Sequence, residues 1–274
     1  KEGLVDRRPY QPRDLTLRHL RVARNMTYMW ALYAREVKRF QKIWMDTVFS
    51  PIVSTILFLS VFGIVAGGQD VDSIPYLLFI YVGLLSMNVV NSSFSNPAFA
   101  LVIGKNTGTI ADLQLVPIQP WGVGIAYALA ALTRAFFTIS LAVLATGWFI
   151  PELSVQHPLL LILAFSLTAL EFGMLGVIFG MWAKGFEALT FITTFVMQPM
   201  IFLAGVFYPI SNLPEPWNLV STFNPLHHNI NLLRYAVTDY TDGNPLISVA
   251  VVVGLSVFLF IGMHFSTKRK MRAL

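Results

Sequence analysis

The sequence predicts an all-α integral membrane protein, and three observations indicate that fold class. Among the 274 residues, 55% are hydrophobic and only 12% are charged, whereas soluble domains carry about 25% charged residues. Several apolar segments reach the length of about 20 residues that a helix needs to cross the hydrocarbon layer. Most lysines and arginines lie outside these segments. We therefore expect lipid to surround much of the chain.

We predict six transmembrane helices within one membrane domain, residues 48–266. A charged N-terminal segment, residues 1–47, precedes this domain, and a short basic tail, residues 267–274, follows it. The predicted helices cover residues 48–67, 76–95 (or 76–103), 122–150, 159–183, 188–208 and 246–265.

The positions of the basic residues predict the orientation. Eleven of the 19 lysines and arginines precede Asp46, and four follow Thr267. Lys105 and Lys184 lie in the second and fourth connections. Because cytoplasmic segments hold the excess of Lys and Arg, we expect both termini in the cytoplasm. This topology explains the net charge of +5, so no nucleic-acid partner is indicated.

An amphipathic helix is predicted just before the first span. Apolar residues recur there at steps of three and four, and cations occupy the opposite side. The apolar positions are Met26, Met29, Trp30, Tyr33, Val37, Phe40 and Trp44, and the cations are Arg35, Lys38, Arg39 and Lys42. This pattern is typical of a helix in the headgroup plane. It serves either as a plain anchor or also as a seat for a cytoplasmic partner.

Two charged residues fall inside predicted spans. Arg134 and Glu171 each lie about 13 residues into a span, near the middle of the bilayer. Charges at that depth usually pair, and consecutive helices are usually neighbours. We predict an ion pair between Arg134 and Glu171, which acts either as a structural contact or as a proton or ion relay.

Polar stripes follow two other spans. Thr190, Thr194 and Gln198 recur every four residues in the fifth span, while Asn88, Asn91, Ser92, Ser95 and Asn96 share one face of the second. Either stripe would suit a wet passage, with Asn88 and Asn91 as lining residues. Hydrogen bonding between helices explains the stripes equally well.

Catalytic motifs are absent from the sequence. It contains no G-x-x-x-x-G-K-[ST] phosphate loop, no H-E-x-x-H and no G-x-S-x-G, and it has no cysteine. His227 and His228 would point about 100° apart on a helix, which argues against a shared metal. We predict no catalytic residue, no metal site and no cofactor in this chain, which is not expected to be an enzyme.

The segment from Gly205 to Tyr235 is broken by prolines yet rich in apolar residues. Asn224 followed by Pro225 predicts a helix N-cap and first turn. We predict two short helices, residues 214–221 and 225–235, too short to span a bilayer. They are expected to re-enter the outer leaflet, where protein or a cavity covers the broken backbone.

This segment resembles the C-terminal signature of ABC-2 type transporter permeases, which include drug, nodulation-factor and lipid-linked polysaccharide exporters. The matching residues are Gly205, Phe207, Pro209, Leu213, Pro214, Trp217, Asn224, Pro225 and Arg234. The resemblance implies a half-transporter in the bacterial inner membrane that forms a path with a second copy of itself. It also implies two cytoplasmic ATPase subunits, which bind the ATP and Mg, and an amphipathic, glycolipid or drug-like substrate. Pro209 to Arg234 would border the exit of the path.

The resemblance also implies a coupling helix in the second cytoplasmic connection, residues 104–120. The residues expected to contact the ATPase are Lys105, Thr109, Asp112, Leu113 and Leu115. An ion-coupled secondary transporter that works without an ATPase is the alternative, motivated by Arg134 and Glu171. Such transporters are built from internal repeats, and the two halves of this sequence show no self-similarity.

Overall fold

The computed structural model describes residues 13–42, 44–66, 70–71, 74–110 and 118–271. Its helices are α1 (Arg13–Lys42), α2 (Trp44–Ala66), α3 (Tyr76–Asn106), α4 (Pro120–Thr146), α5 (Pro158–Trp182), α6 (Phe186–Phe202), α7 (Trp217–Phe223), α8 (Pro225–Thr238) and α9 (Pro245–Met271). Between α2 and α3, strands β1 (Asp70–Val71) and β2 (Ile74–Pro75) pair in antiparallel fashion. The predicted all-helical class is confirmed.

Among the described residues, α3, α5, α9 and α4 with its 3₁₀ extension to Phe149 are long and apolar enough to cross a membrane. Shorter apolar stretches occupy the predicted first and fifth spans, at Phe49–Ile64 in α2 and Phe186–Phe202 in α6. Each predicted span is thus a helix. The crossing of the membrane by all six stays a prediction.

Helix α3 lies at the centre of the fold, with α2, α4, α5 and α8 packed around it. Its closest neighbour is α5, which approaches through glycines. A Cβ atom added to Gly176 would lie 2.3 Å from the carbonyl oxygen of Phe94. One added to Gly180 would lie 3.0 Å from the Cα of Ala98. Glycine is needed at Gly176 because the two backbones touch there.

The amphipathic helix α1 packs lengthwise against α4. The side-chain oxygen of Asn25 accepts a hydrogen bond from the backbone N–H of Gln119 at 2.7 Å. Fifteen residues further along α1, the Phe40 ring lies 6.3 Å from that of Phe137. The two helices therefore run parallel. The prediction needs correction here, because much of the apolar face of α1 covers α4 rather than lipid.

Candidate functional site

Lys105 lies at the end of α3 and caps the C-terminus of α5. Its Nζ donates hydrogen bonds to the carbonyl oxygens of Gly180, Met181 and Ala183 at 2.8, 2.7 and 2.7 Å. The last carbonyls of a helix lack partners within the helix and carry partial negative charge. All three N–H donors of Lys105 are therefore used inside the chain. Lys105 thus holds the connection against the end of α5, and its predicted contact with the ATPase stays a prediction.

The connection after α3 turns sharply behind Lys105. Gly108 has a φ of 75°, a left-handed conformation that favours glycine. Thr109 donates a hydrogen bond from its hydroxyl to the carbonyl of Gly104 at 3.4 Å. The other predicted coupling residues, Asp112, Leu113 and Leu115, lie outside the described residues.

A cleft of about 440 Å³ separates this connection from α1. Basic residues of α1 line one wall, and Gly104, Thr109 and Ile110 line the other. Within that wall, the buried carboxylate of Glu36 bonds to Arg39 at 2.7 Å and Arg35 at 3.2 Å. The basic face of α1, which is predicted to bind a cytoplasmic partner, thus lies next to the connection that is predicted to contain the coupling helix.

Arg134 and Glu171 do not form the predicted ion pair. Among the described residues, the only hydrogen bond of Arg134 runs from Nη1 to the side-chain oxygen of Asn96, at 3.5 Å. Arg39 donates to the same oxygen at 3.0 Å. The Nε of Arg134 is buried without a partner in the described part of the chain. The prediction is wrong because the two side chains point to different neighbours, and Arg134 lies level with the basic residues of α1.

Glu171 instead joins three helices. Its carboxylate accepts hydrogen bonds from Asn229 of α8 at 2.8 Å and from Ser256 of α9 at 2.7 Å. Thr168, one turn earlier in α5, donates to the side-chain oxygen of Asn229 at 2.8 Å. Glu171 is 0% exposed. This geometry fits a structural contact between the three helices.

The polar stripe of α3 lines a cleft of about 320 Å³ between α2, α3 and α4. Asn88, Asn91, Ser92 and Ser95 of α3 face Ser50 and Ser54 of α2, and Arg134 of α4 completes the lining. Asn88 also donates a hydrogen bond to Thr55 at 3.0 Å. Asn88 therefore joins two helices, while its neighbours face a cavity. The lining of a passage by this stripe stays a prediction.

The second polar stripe, on α6, lies on the outside of the single chain. Thr190 and Thr194 are exposed, and Gln198 is half-buried. A π-helical turn, Thr193–Met197, interrupts α6 between them. The stripe is open to the outside of the chain. A passage lined by it would therefore need another protein surface as its opposite wall.

The end of α6 departs from the prediction. The helix ends at Phe202 rather than near residue 208, because Gly205 adopts a φ of 80° and reverses the chain. The predicted helix 214–221 is observed as Trp217–Phe223. Glu215 lies between Pro214 and Pro216, and a residue before proline is disfavoured in the helical conformation. Trp217, the first residue of α7, is 52% exposed.

The predicted N-cap of α8 is confirmed. The side-chain oxygen of Asn224 accepts a hydrogen bond from the backbone N–H of Leu226 at 3.1 Å, and Pro225 is the first helical residue. The amide nitrogen of Asn224 donates to the carbonyl of Met200 in α6 at 2.7 Å. Pro209 precedes a 3₁₀ turn, Ile210–Asn212. The cap thus also ties α8 to α6.

Arg234 connects this whole segment to the core. It is 1% exposed, its Nη2 donates to the carbonyl of Gly205 at 3.0 Å, and its Cζ lies 3.6 Å from the Phe79 ring centroid. Burial lowers the pKa of Arg234 to about 10, opposed by Tyr240 and Asp242, so the side chain stays charged at neutral pH. The first and last residues of the motif found in the sequence, Gly205 and Arg234, are in direct contact.

Sequence reasoning missed several residues in these networks. Asn229, Ser256 and Asp242 all accept or donate bonds that join separate helices or turns. The available signal was their polarity within apolar surroundings. A polar residue in an apolar segment is predicted to be buried or functional, but its hydrogen-bond partner cannot be predicted from the sequence.

Comparison with known proteins decides the family. A sequence profile described as ABC-2 type transporter matches residues 27–238, from within α1 to the last residue of α8. The chain belongs to the ABC-2 type transporter family. This ABC-2 type chain is 28% identical over 246 residues to the inner membrane transport permease YadH of Escherichia coli K12, covering 89% of this chain and 95% of YadH.

Nodulation proteins are further relatives of this ABC-2 type chain. It is 29% identical over 215 residues to nodulation protein J of Sinorhizobium fredii, covering 76% of this chain and 81% of the relative. Nodulation protein J of Rhizobium meliloti is 26% identical over 254 residues, with coverages of 89% and 93%. The ABC-2 type chain is therefore a membrane subunit of an ABC transporter and a multi-pass protein of the inner membrane.

Proposed function

We propose that this ABC-2 type chain is the permease subunit of an ATP-driven exporter. Two copies form the translocation path, and two separate cytoplasmic ATPase subunits hydrolyse ATP with Mg. The observation that carries the proposal is the family match over residues 27–238. The lack of a phosphate loop in the 274 residues is consistent with an energy source on another chain.

The connection after α3 is the proposed contact with the ATPase. Thr109 and the neighbouring residues Asp112, Leu113 and Leu115 make this contact, and Lys105 ties the connection to the end of α5. Two features support this assignment, namely the three hydrogen bonds of Lys105 and the backbone contact between Gly176 and Phe94. A push on the connection would move α3 and α5 together, because these helices cannot slide freely past each other.

The path between the two copies is the second part of the proposal. The outward-facing polar residues Thr190, Thr194 and Gln198 suit a passage that needs a second copy to close it. Asn88 and Asn91 line the same path from α3. The segment from Pro209 to Arg234 borders the exit, with Trp217 and the rest of α7 in the outer leaflet. Rocking of the two copies would open and close this route.

Six membrane crossings with both termini in the cytoplasm complete the proposed topology. The excess of Lys and Arg at both ends of the sequence supports it. The substrate is an amphipathic, glycolipid or drug-like molecule. The names of the nodulation relatives connect only those proteins with nodulation.

An ion-coupled transporter that works alone is less well supported by the described residues. Its motivation was a relay between Arg134 and Glu171, but these two residues do not pair, and each carboxylate oxygen of Glu171 accepts a hydrogen bond from Asn229 or Ser256. We therefore retain the ATP-driven exporter as the proposed function.

Co-purification tests the proposal. The tagged chain is isolated from native membranes, and co-purified proteins are identified by mass spectrometry. We expect a phosphate-loop ATPase in equal amount, and nucleotide hydrolysis by the reconstituted complex that responds to the transported molecule. Vesicles that transport with this chain alone would overturn the proposal.

A further inference from the structure

Arg134, which lines the cleft between α2, α3 and α4, has too few hydrogen-bond partners for a cation at a largely buried position. Its single hydrogen bond, to Asn96, is at the 3.5 Å limit, and Arg39 shares the accepting oxygen. The Nε atom is buried without a partner among the described residues, and no described carboxylate lies within 4.0 Å of the guanidinium. A buried charge is costly unless an opposite charge or several hydrogen bonds compensate it. Arg134 therefore lacks its counter-charge within the described chain.

The space next to Arg134 is polar and large enough for a small group. The cleft measures about 320 Å³, and its walls carry the hydroxyl groups of Ser54 and Ser95 and the amide of Asn91. Asn91 and Ser95 form no side-chain hydrogen bond to another described residue. Such groups hydrogen-bond oxygen atoms, and a guanidinium binds phosphate or carboxylate through parallel N–H groups. The lining thus suits an oxyanion.

The depth of the cleft indicates where that oxyanion comes from. Asn96, which Arg134 contacts, lies about 20 residues beyond Tyr76 along α3, or about 30 Å at the rise of an α-helix. This distance equals the thickness of the hydrocarbon layer. Arg39 of the basic helix α1 bonds to the same Asn96. Arg134 therefore contacts the half of α3 that ends at Lys105, beside the basic helix α1, although it lies midway along α4, 14 residues after Pro120.

We propose that the cleft between α2, α3 and α4 binds the anionic phosphate headgroup of one membrane amphiphile, with Arg134 as its counter-charge. Asn91 and Ser95 hydrogen-bond the headgroup oxygens. Basic pockets between membrane helices bind anionic headgroups in this way. Asn91 is also proposed above to line the translocation path, so the site adds a lipid ligand to that wall. Lipid retention is measured without any ATPase, so its failure is distinguishable from failure of the proposed transport function.

Lipid retention in nanodiscs tests the site without any ATPase. The purified chain is reconstituted in phosphatidylcholine with a minor fraction of phosphatidylglycerol, and native mass spectrometry counts the phosphatidylglycerol that stays bound. We expect one tightly bound molecule per chain, and about tenfold weaker retention for Arg134→Gln, since it loses charge-assisted hydrogen bonds. Lys38→Gln removes the same charge from the exposed face of α1 and should retain the lipid. Equal retention by Arg134→Gln and the unaltered chain, or an equal loss in Lys38→Gln, would overturn the proposal.

Two further variants separate binding from misfolding. Asn91→Leu removes a polar group from the cleft wall and removes no hydrogen bond to a described residue, so the chain should keep its unfolding temperature and lose the lipid. Arg134→Lys keeps the charge and should keep part of the retention. Normal retention by a stable Asn91→Leu chain would show that the lipid binds elsewhere.

Competition identifies the source of the phosphate group. Inorganic phosphate and glycerol 3-phosphate are added to the unaltered chain and to Arg134→Gln. A headgroup site should resist both soluble anions, because they lack the acyl chains that lie beside the helices. Displacement by inorganic phosphate that depends on Arg134 would support the oxyanion site and assign it to a soluble ligand. Binding of neither probe would overturn the site altogether.

Discussion

The carboxylate of Glu171 in α5 accepts a hydrogen bond from the side-chain amide of Asn229 in α8, at 2.8 Å. This bond joins the fourth predicted span to the short helix that follows the fifth. Ser256 of α9 occupies the second carboxylate oxygen. The position that the sequence marked as a possible relay is therefore a junction of three helices.

Substitution of Glu171 should affect stability more than transport. Glu171→Ala leaves the buried Asn229 amide and the half-buried Ser256 hydroxyl without their acceptor, at a cost of about 1–3 kcal/mol for Asn229 and less for Ser256 in the free energy of unfolding. Glu171→Gln keeps one acceptor oxygen and should cost about 1 kcal/mol. The measurement is thermal unfolding of the purified chain in detergent, with Glu187→Gln on the exposed side of α6 as the control. Loss of transport by a stably folded Glu171→Gln chain would restore the relay hypothesis.

Substitution of Gly176 by alanine should loosen the contact between α3 and α5. The added Cβ would meet the carbonyl oxygen of Phe94 at 2.3 Å, so the helices must separate, at about 1–3 kcal/mol or more. Gly254→Ala in α9 is a matched control, because nothing lies within 4 Å of the added Cβ. Thermal unfolding in detergent compares the two variants. The packing argument fails if both variants unfold at the same temperature.

Removal of the Lys105 ammonium should uncap α5. Lys105→Met leaves three carbonyls with one partner fewer and should lower the free energy of unfolding by about 2 kcal/mol. Lys184→Met removes an equal charge from an exposed residue nearby and should change little. In the complex with its ATPase, Lys105→Met should also weaken the response of ATP hydrolysis to substrate while the subunits still co-purify. An ATPase that no longer co-purifies would instead indicate direct contact by Lys105.

Protonation of His227, near the start of α8, should make the protein less stable in acid. Burial, followed by the neighbouring His228, lowers the pKa of His227 below its ordinary value of about 6.5. The folded state thus favours the neutral ring. The neutral ring of His227 contributes fully to the free energy of unfolding above about pH 6.5. This contribution is lost as the pH falls through the lowered folded-state pKa. The unfolding temperature of His227→Gln, followed from alkaline to acidic pH, should therefore fall less than that of the unaltered chain. Parallel pH profiles would contradict this.

Local patterns predicted the helices well. Apolar length located the starts of α3, α4, α5 and α9 to within two residues, because hydrocarbon requires a backbone that satisfies its own hydrogen bonds. Helices α3 and α9 continue beyond their predicted ends, to Asn106 and Met271. The pair Asn224 and Pro225 predicted the start of α8 for an equally local reason, since a cap depends on residues next to each other in sequence. The Gly205–Arg234 motif also indicated the family.

Partners across the fold could not be predicted in the same way. Arg134 and Glu171 have opposite charges on consecutive helices, so pairing was the reasonable expectation. The rotation of α4 and α5 about their axes decided otherwise, turning Arg134 to Asn96 and Glu171 to Asn229. Sequence spacing contains no information on that rotation when a helix is apolar on every side.

The sequence by itself determined the membrane solvent, the helical class, the starts of the long helices and the family, because each depends on composition or on residues close together along the chain. Only the tertiary structure decided that Lys105 caps α5, that Glu171 joins α5 to α8 and α9, and that Arg134 stands beside a polar cleft. Those roles depend on which helices touch and at what depth. Side-chain packing between distant segments sets both.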